Sequence, residues 1–126
     1  MRSRFADDRD IELLIKIRFD YFNSVNYVLT DELRDLINLQ LLSYYERHLN
    51  YDLFVALVED DSGNLASSAF LVISEMPANI SCPTGKFGKF LNVFTYPQYR
   101  NKGYATEALN MLIDEAKSKN LSYIEL

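Results

Sequence analysis

The spacing of apolar positions changes several times along the chain, and each change marks an element. Met1 to Ala6 reads as a short strand. Asp7, Asp8 and Asp10 crowd the start of a helix, where carboxylates meet free N–H groups and the positive end of the dipole. Ile11, Leu14, Ile15 and Phe22 recur at helical spacing, with Leu13 and Ile17 beside them, which predicts a helix to about Asn23. Asn23 to Leu29 is a connection. Thr30 caps a second helix, whose first turn carries Asp31 and Glu32. Its predicted inner face is Leu33, Leu36, Ile37, Gln40, Leu41, Tyr44, Tyr45 and His48. Leu53 to Val58 is continuously apolar and reads as a strand buried on both faces. Asp60-Asp61-Ser62-Gly63-Asn64 is a turn, and Leu65 to Met76 is the returning strand. Pro77 to Gly88 holds two prolines and two glycines and reads as a loop. Phe90 to Thr95 is a further strand, ended by Pro97. Ala105, Ala108, Leu109, Leu112, Ile113 and Ala116 then give the clearest amphipathic helix in the chain. Lys117, Lys119 and Asn120 suit its C-terminal end. Leu121 to Leu126 reads as a last strand. The order β-α-α-β-β-β-α-β predicts one mixed α/β domain over residues 1–126, with a mixed sheet.

Composition narrows the function classes. The 126 residues carry a formal charge of −5, which argues against nucleic-acid binding, since that needs a basic face for phosphates. The single cysteine, Cys82, excludes a disulfide within the chain. It precedes Pro83 in the Pro/Gly loop and is read as a thiol without a catalytic role. His48 closes the face of the second helix, where a histidine serves as a helix-end cation or a hydrogen-bonded side chain. No signal peptide follows Met1-Arg2-Ser3-Arg4, and there is no run of about 18 apolar residues to span a membrane. The expectation is a cytoplasmic protein with neither membrane nor nucleic acid as partner, and with no metal ligands.

The stretch that points to chemistry is Arg100-Asn101-Lys102-Gly103-Tyr104-Ala105, between a strand and the strongest helix. The N–H groups of a helix's first turn have no intrahelical partners, and the dipole there favours an anion. Gly103 permits a positive φ or a close backbone approach. Ala105 is too small to block the site, and Arg100 and Lys102 add positive charge. The spacing differs from that of a P-loop, and the three glycines of a dinucleotide fingerprint are missing.

Lys89 to Ala105 resembles the central motif of the GNAT superfamily of N-acetyltransferases: a strand, then Pro-x-x-Arg or Gln, then x-x-Gly-x-Gly or Ala, then an amphipathic helix. Pro97, Arg100, Gly103 and Ala105 stand at the matching positions, and the element order also matches. The resemblance implies that backbone N–H groups of Asn101, Lys102, Gly103, Tyr104 and Ala105 hold the pyrophosphate of acetyl-CoA, with the Thr106 hydroxyl nearby. It implies that Val93, Phe94 and Thr95 offer backbone groups to the pantetheine arm, which lies like an added strand. A backbone N–H of that strand would polarise the thioester carbonyl. The implied activity is direct transfer of an acetyl group to a primary amine of a small molecule or peptide.

The chain departs from the family pattern in two respects. Some members carry a Glu on the fourth strand, where this chain has Asn92; Glu75 and Glu125 read as solvated, and no catalytic residue is assigned. The family usually continues after the fifth strand with a helix and two more strands, so the domain is expected to be incomplete at its C-terminus. Self-association through the exposed last strand is a further expectation. These departures keep a second reading open, that of a non-catalytic acyl-CoA-binding or regulatory domain or an inactive fragment. A third has Arg100 to Ala105 as a mere connector in an interaction domain.

Overall fold

The computed structural model describes residues 1–126. Its elements are β1 (Arg2–Phe5), α1 (Ile11–Ser24), α2 (Asp31–His48), β2 (Leu53–Glu59), β3 (Leu65–Glu75), β4 (Lys86–Thr95), α3 (Tyr104–Ser118) and β5 (Ile124–Glu125). Short 3₁₀ turns, Asp8–Asp10 and Pro97–Tyr99, precede α1 and α3. One five-stranded sheet runs β1-β2-β3-β4-β5; the first four strands are antiparallel neighbours, and β5 pairs with β4 in parallel. This is the mixed α/β architecture that the hydrophobic pattern predicts.

The sheet divides two cores. Alternation along β2 sends Leu53, Val55 and Leu57 to one face, where they meet Leu14, Ile17 and Phe19 of α1 and Leu41 and Tyr45 of α2. Phe54, Ala56 and Val58 point the other way and meet Ala108, Leu112 and Ala116 of α3. Those two alanines let α3 lie close on the sheet. The buried run predicted at Leu53 to Val58 is therefore a strand covered on both sides.

Capping follows the predicted chemistry. Asp7 accepts from the Arg9 N–H, and Asp10 accepts from the Asp7 N–H, so the acidic cluster closes a capping box before α1. The Thr30 hydroxyl accepts from the Leu33 N–H at the start of α2. At the end of α3, Asn120 takes φ +59°. Its N–H donates to the Lys117 carbonyl, and that of Leu121 donates to the Ala116 carbonyl, which forms a Schellman motif.

Two boundaries and two buried faces differ from the sequence reading. β4 begins at Lys86, inside the segment read as a loop. The second glycine that suggested a loop, Gly88, is a strand glycine: a Cβ there would lie 2.8 Å from Leu71 Cδ1 and 3.0 Å from Leu121 Cδ1. β5 covers only Ile124 and Glu125, because Leu121 is used in the cap of α3. The inner face of α2 is shorter than its pattern. Leu41 and Tyr45 are buried, with Ile37 and Tyr44 packed beside them, whereas Leu33 and Leu36 are exposed because only the C-terminal half of the helix docks. In α1 the buried line is Leu14, Ile17 and Phe19, and the sequence pattern passed over Phe19.

Candidate active site

The strand-to-helix junction builds a cradle. Thr95, Arg100, Asn101, Gly103, Tyr104, Ala105 and Thr106 line one hollow of about 330 Å³. Within the protein, the backbone N–H of every residue from Asn101 to Thr106 lacks an acceptor; the first bond of the helix start runs from the Glu107 N–H to the Gly103 carbonyl. Gly103 has φ +87°, a conformation that suits glycine, and a Cβ there would meet no atom within 4 Å. The requirement at Gly103 is thus the backbone conformation, and the space above it is open.

The cradle is braced from below. Arg100 Nε donates to the Thr95 carbonyl at 3.1 Å, so the turn is tied to the end of β4. The Tyr99 and Tyr104 rings meet edge to face, with centroids 5.4 Å apart. The Tyr99 hydroxyl donates to Asp60 Oδ2 at 2.6 Å, which anchors the junction to the β2–β3 turn. That bond, with the backbone N–H groups of Asn64 and Ser62, holds the Asp60 carboxyl down at about 2. Lys102 is exposed and does not line the hollow.

Along β4 the register breaks beside the cradle. Ser68 of β3 faces Phe94 and Phe70 faces Leu91, so Asn92 and Val93 together oppose Ala69. Asn92 carries the bulge with φ +53°. Its Oδ1 accepts from Arg18 Nη1 of α1 at 3.3 Å, while its buried Nδ2 has no partner. Buried Ser68 Oγ has none either. Val93 is exposed, and Phe94 is buried edge-on against Tyr21. The β5 side of β4 is paired only at Gly88 and Lys89, which leaves Phe90 to Thr95 open on that edge.

On the α1–α2 face, a cavity of about 180 Å³ is lined by Arg18, Gln40, Leu41, Tyr44, Tyr45, Leu53, Phe70, Val72 and Leu91. Beside it, the Tyr44 ring stacks on His48 with centroids 4.5 Å apart. His48 Nδ1 lies 2.7 Å from Asp52 Oδ1, so the histidine is held as a hydrogen-bonded side chain at the end of α2. Burial, with the Asp52 charge next in size, pushes the Tyr44 hydroxyl above its ordinary range. The sequence reading did not find this cavity. Arg18 sits between Ile17 and Phe19 on a helix flank, and Asn92 was its sole visible signal.

The remaining candidates are apart from these features. Glu75 and Glu125 are exposed. Cys82 lies in the predicted loop but is fully buried, its Sγ directed at the Lys86 carbonyl at 3.6 Å. No helix is long and apolar enough to cross a membrane.

Comparison with known proteins agrees with the geometry. Residues 14–126 match the model of the Acetyltransferase (GNAT) family. Among solved structures, the chain is similar to a predicted acetyltransferase with acetyl-CoA from Clostridium acetobutylicum: identity is 28% and TM-score 0.84, over 98% of this chain and 77% of that one. A GCN5-related N-acetyltransferase from Ralstonia eutropha shares the fold at 21% identity and TM-score 0.81, over 98% of this chain and 80% of that one. So does a ribosomal-protein-alanine N-acetyltransferase from Brucella melitensis, at 16% identity and TM-score 0.70, over 100% and 79%. Among curated proteins there is no match. With the family model covering most of its length, the chain belongs to the GNAT acetyltransferase family and is an N-acetyltransferase of that type.

Proposed function

We propose that the donor is acetyl-CoA and the acceptor a primary amine, and that Asn101 to Thr106 bind the donor's diphosphate. The observation that carries this reading is the run of unpartnered N–H groups at the start of α3, above an open space at Gly103. Such groups suit an anion, and the helix dipole adds to them. Thr106 lines the same hollow, and Lys102, exposed and outside its lining, adds positive charge to the turn. A structure at 28% identity is one with acetyl-CoA, which favours the same donor.

When bound, acetyl-CoA supplies an activated thioester carbonyl. The strand edge at Val93, Phe94 and Thr95, which β5 leaves unpaired, receives the donor's arm, with the Phe94 and Thr95 carbonyls already taken by Ser67 and Arg100. Leu91 lines the cavity and Thr95 lines the cradle. Four residue steps of strand separate them, about 13 Å at ~3.3 Å each. A backbone N–H near the bulge polarises the carbonyl, and the cavity holds the acceptor's body. β4 offers Asn92 rather than a carboxylate at this point, so the amine must reach the carbonyl as the neutral base.

Calorimetric titration of acetyl-CoA, followed by assay of free thiol release with a panel of amines, tests the proposal. The expected result is saturable binding that weakens with added salt, together with amine-dependent thiol release. Absence of binding would overturn it.

A further inference from the structure

The cavity on the α1–α2 face contains a charge that a plain amine does not explain. Arg18 is the one ionised residue in its lining; the others are apolar or aromatic, with Gln40. Arg18 is half-buried in the cavity lining and takes part in no ion pair. Its contacts are a single bond to Asn92 Oδ1 and the face of Phe22 at 4.8 Å. A guanidinium has five N–H donors, so most of its fork remains free. Holding a partly desolvated cation without a partner is costly. Asn92 Nδ2, on the side chain that Arg18 bonds, is also without a partner at 5% exposure, as is Ser68 Oγ of β3 at 1%. Asn92 sits in the β4 bulge, so its bond to Arg18 links the bulge to a cavity whose other walls are apolar or aromatic, with Gln40.

We propose that the acceptor is an amine that also carries a carboxylate and an apolar body, that is, an amino acid with an apolar side chain, and that Arg18 is the residue that selects it. This rests on the acetyl-transfer reading above. The Arg18 fork matches a carboxylate in two parallel bonds. A volume of about 180 Å³ is slightly above the ~150 Å³ of an engineered cavity that holds benzene, so it admits a branched or aromatic side chain. Because Arg18 is bonded to Asn92, a carboxylate on its fork brings the neighbouring amine to the bulge. In the transfer, the amine nitrogen bonds to the acetyl carbon and the C–S bond breaks with its electron pair going to sulfur. One amine proton is lost and one is gained by the thiolate, which gives the N-acetyl amino acid and free coenzyme A.

Two readouts test this on the folded chain, wild type and Arg18→Gln, with Arg18→Lys as the milder variant and thermal unfolding as the control for folding. The first is calorimetric binding of 3-phenylpropionate, a carboxylate probe without an amine. The second is thiol release from acetyl-CoA with L-phenylalanine and L-leucine against their amides. Wild type is expected to bind the carboxylate and to prefer the free acids by about tenfold or more in kcat/KM, the loss of roughly one charge-assisted contact. Arg18→Gln should abolish the carboxylate binding and the preference, chiefly through KM, while acetyl-CoA affinity stays within about twofold. Equal rates on acid and amide, an unchanged preference in Arg18→Gln, or no carboxylate binding would overturn the inference and leave the transferase reading standing. Carboxylate binding without acetyl-CoA binding or transfer would instead overturn the transferase reading.

Discussion

The cradle at the start of α3 and the cavity under α1 and α2 are built in opposite ways. The cradle is local: residues contiguous in sequence supply backbone N–H groups, and side chains such as Arg100, Tyr99 and Tyr104 brace them. The cavity is assembled from α1, α2, β2, β3 and β4, and its character comes from side chains. A backbone site recognises a common group, a phosphate, and tolerates sequence change provided φ is kept at Gly103. A side-chain site recognises whatever its walls are, and one substitution alters it. On the proposed reading, donor binding and acceptor choice are therefore separable in this fold, and β4 alone joins them.

Substitutions can break that separation, and the largest expected effect is at Gly103. A β-branched residue at φ +87° carries strain of at least about 1–2 kcal/mol and places methyl groups in the open space of the cradle. Gly103→Val should weaken acetyl-CoA binding by about 30-fold or more by calorimetry, since 1.4 kcal/mol is a factor of ten. Equal affinity would remove the cradle as the donor site. Val72→Trp is the counterpart on the other side. It fills the cavity, and the acceptor KM should rise by about tenfold, at a cost to stability of about 1–3 kcal/mol. Acetyl-CoA affinity should not change, and a parallel loss of both would show that the two regions are one site.

A smaller effect is expected at the brace. The Tyr99 bond is the largest of the contacts, with the Asn64 and Ser62 N–H groups, that keep the Asp60 carboxyl at about 2 instead of 3.8. Because the folded value is depressed, this contribution is present above about 3.8 and is lost as pH falls through about 2. Tyr99→Phe should raise the Asp60 value toward 3.8, read by NMR titration, and weaken acetyl-CoA binding by about two- to threefold, in keeping with one lost hydrogen bond behind the site. The smallest effect belongs to Cys82, buried in a loop outside both regions. Cys82→Ser should leave transfer within about twofold, because no chemical step is assigned to it. A hundredfold loss, or an acetylated cysteine, would contradict direct transfer.

The same contrast explains what could be read in the sequence. Period and capping chemistry located every helix and the two-sided burial of β2, and the strand–turn–helix around Gly103 was legible because its residues are consecutive. Gly88 misled, since a glycine chosen for close packing against Leu71 looks the same in sequence as one in a loop. Leu121 misled because a helix cap consumed a residue that strand propensity would place in β5. Arg18 was invisible: its pairing with Asn92 spans 74 positions, and nothing local distinguishes it from a solvated helix cation. The bulge that brings Asn92 to Arg18 is a register event between β3 and β4, set by pairing and not by the residues of either strand alone.

The most direct test of the central claim is an amide-resolved NMR titration with acetyl-CoA. The N–H groups of Asn101 to Thr106 have no partner in the protein, and on the proposed reading a bound diphosphate becomes their acceptor. The account predicts large downfield shifts for these amides, with smaller ones at Val93, Phe94 and Thr95, and little change across α2. Saturable binding that leaves Asn101 to Thr106 unshifted would contradict it.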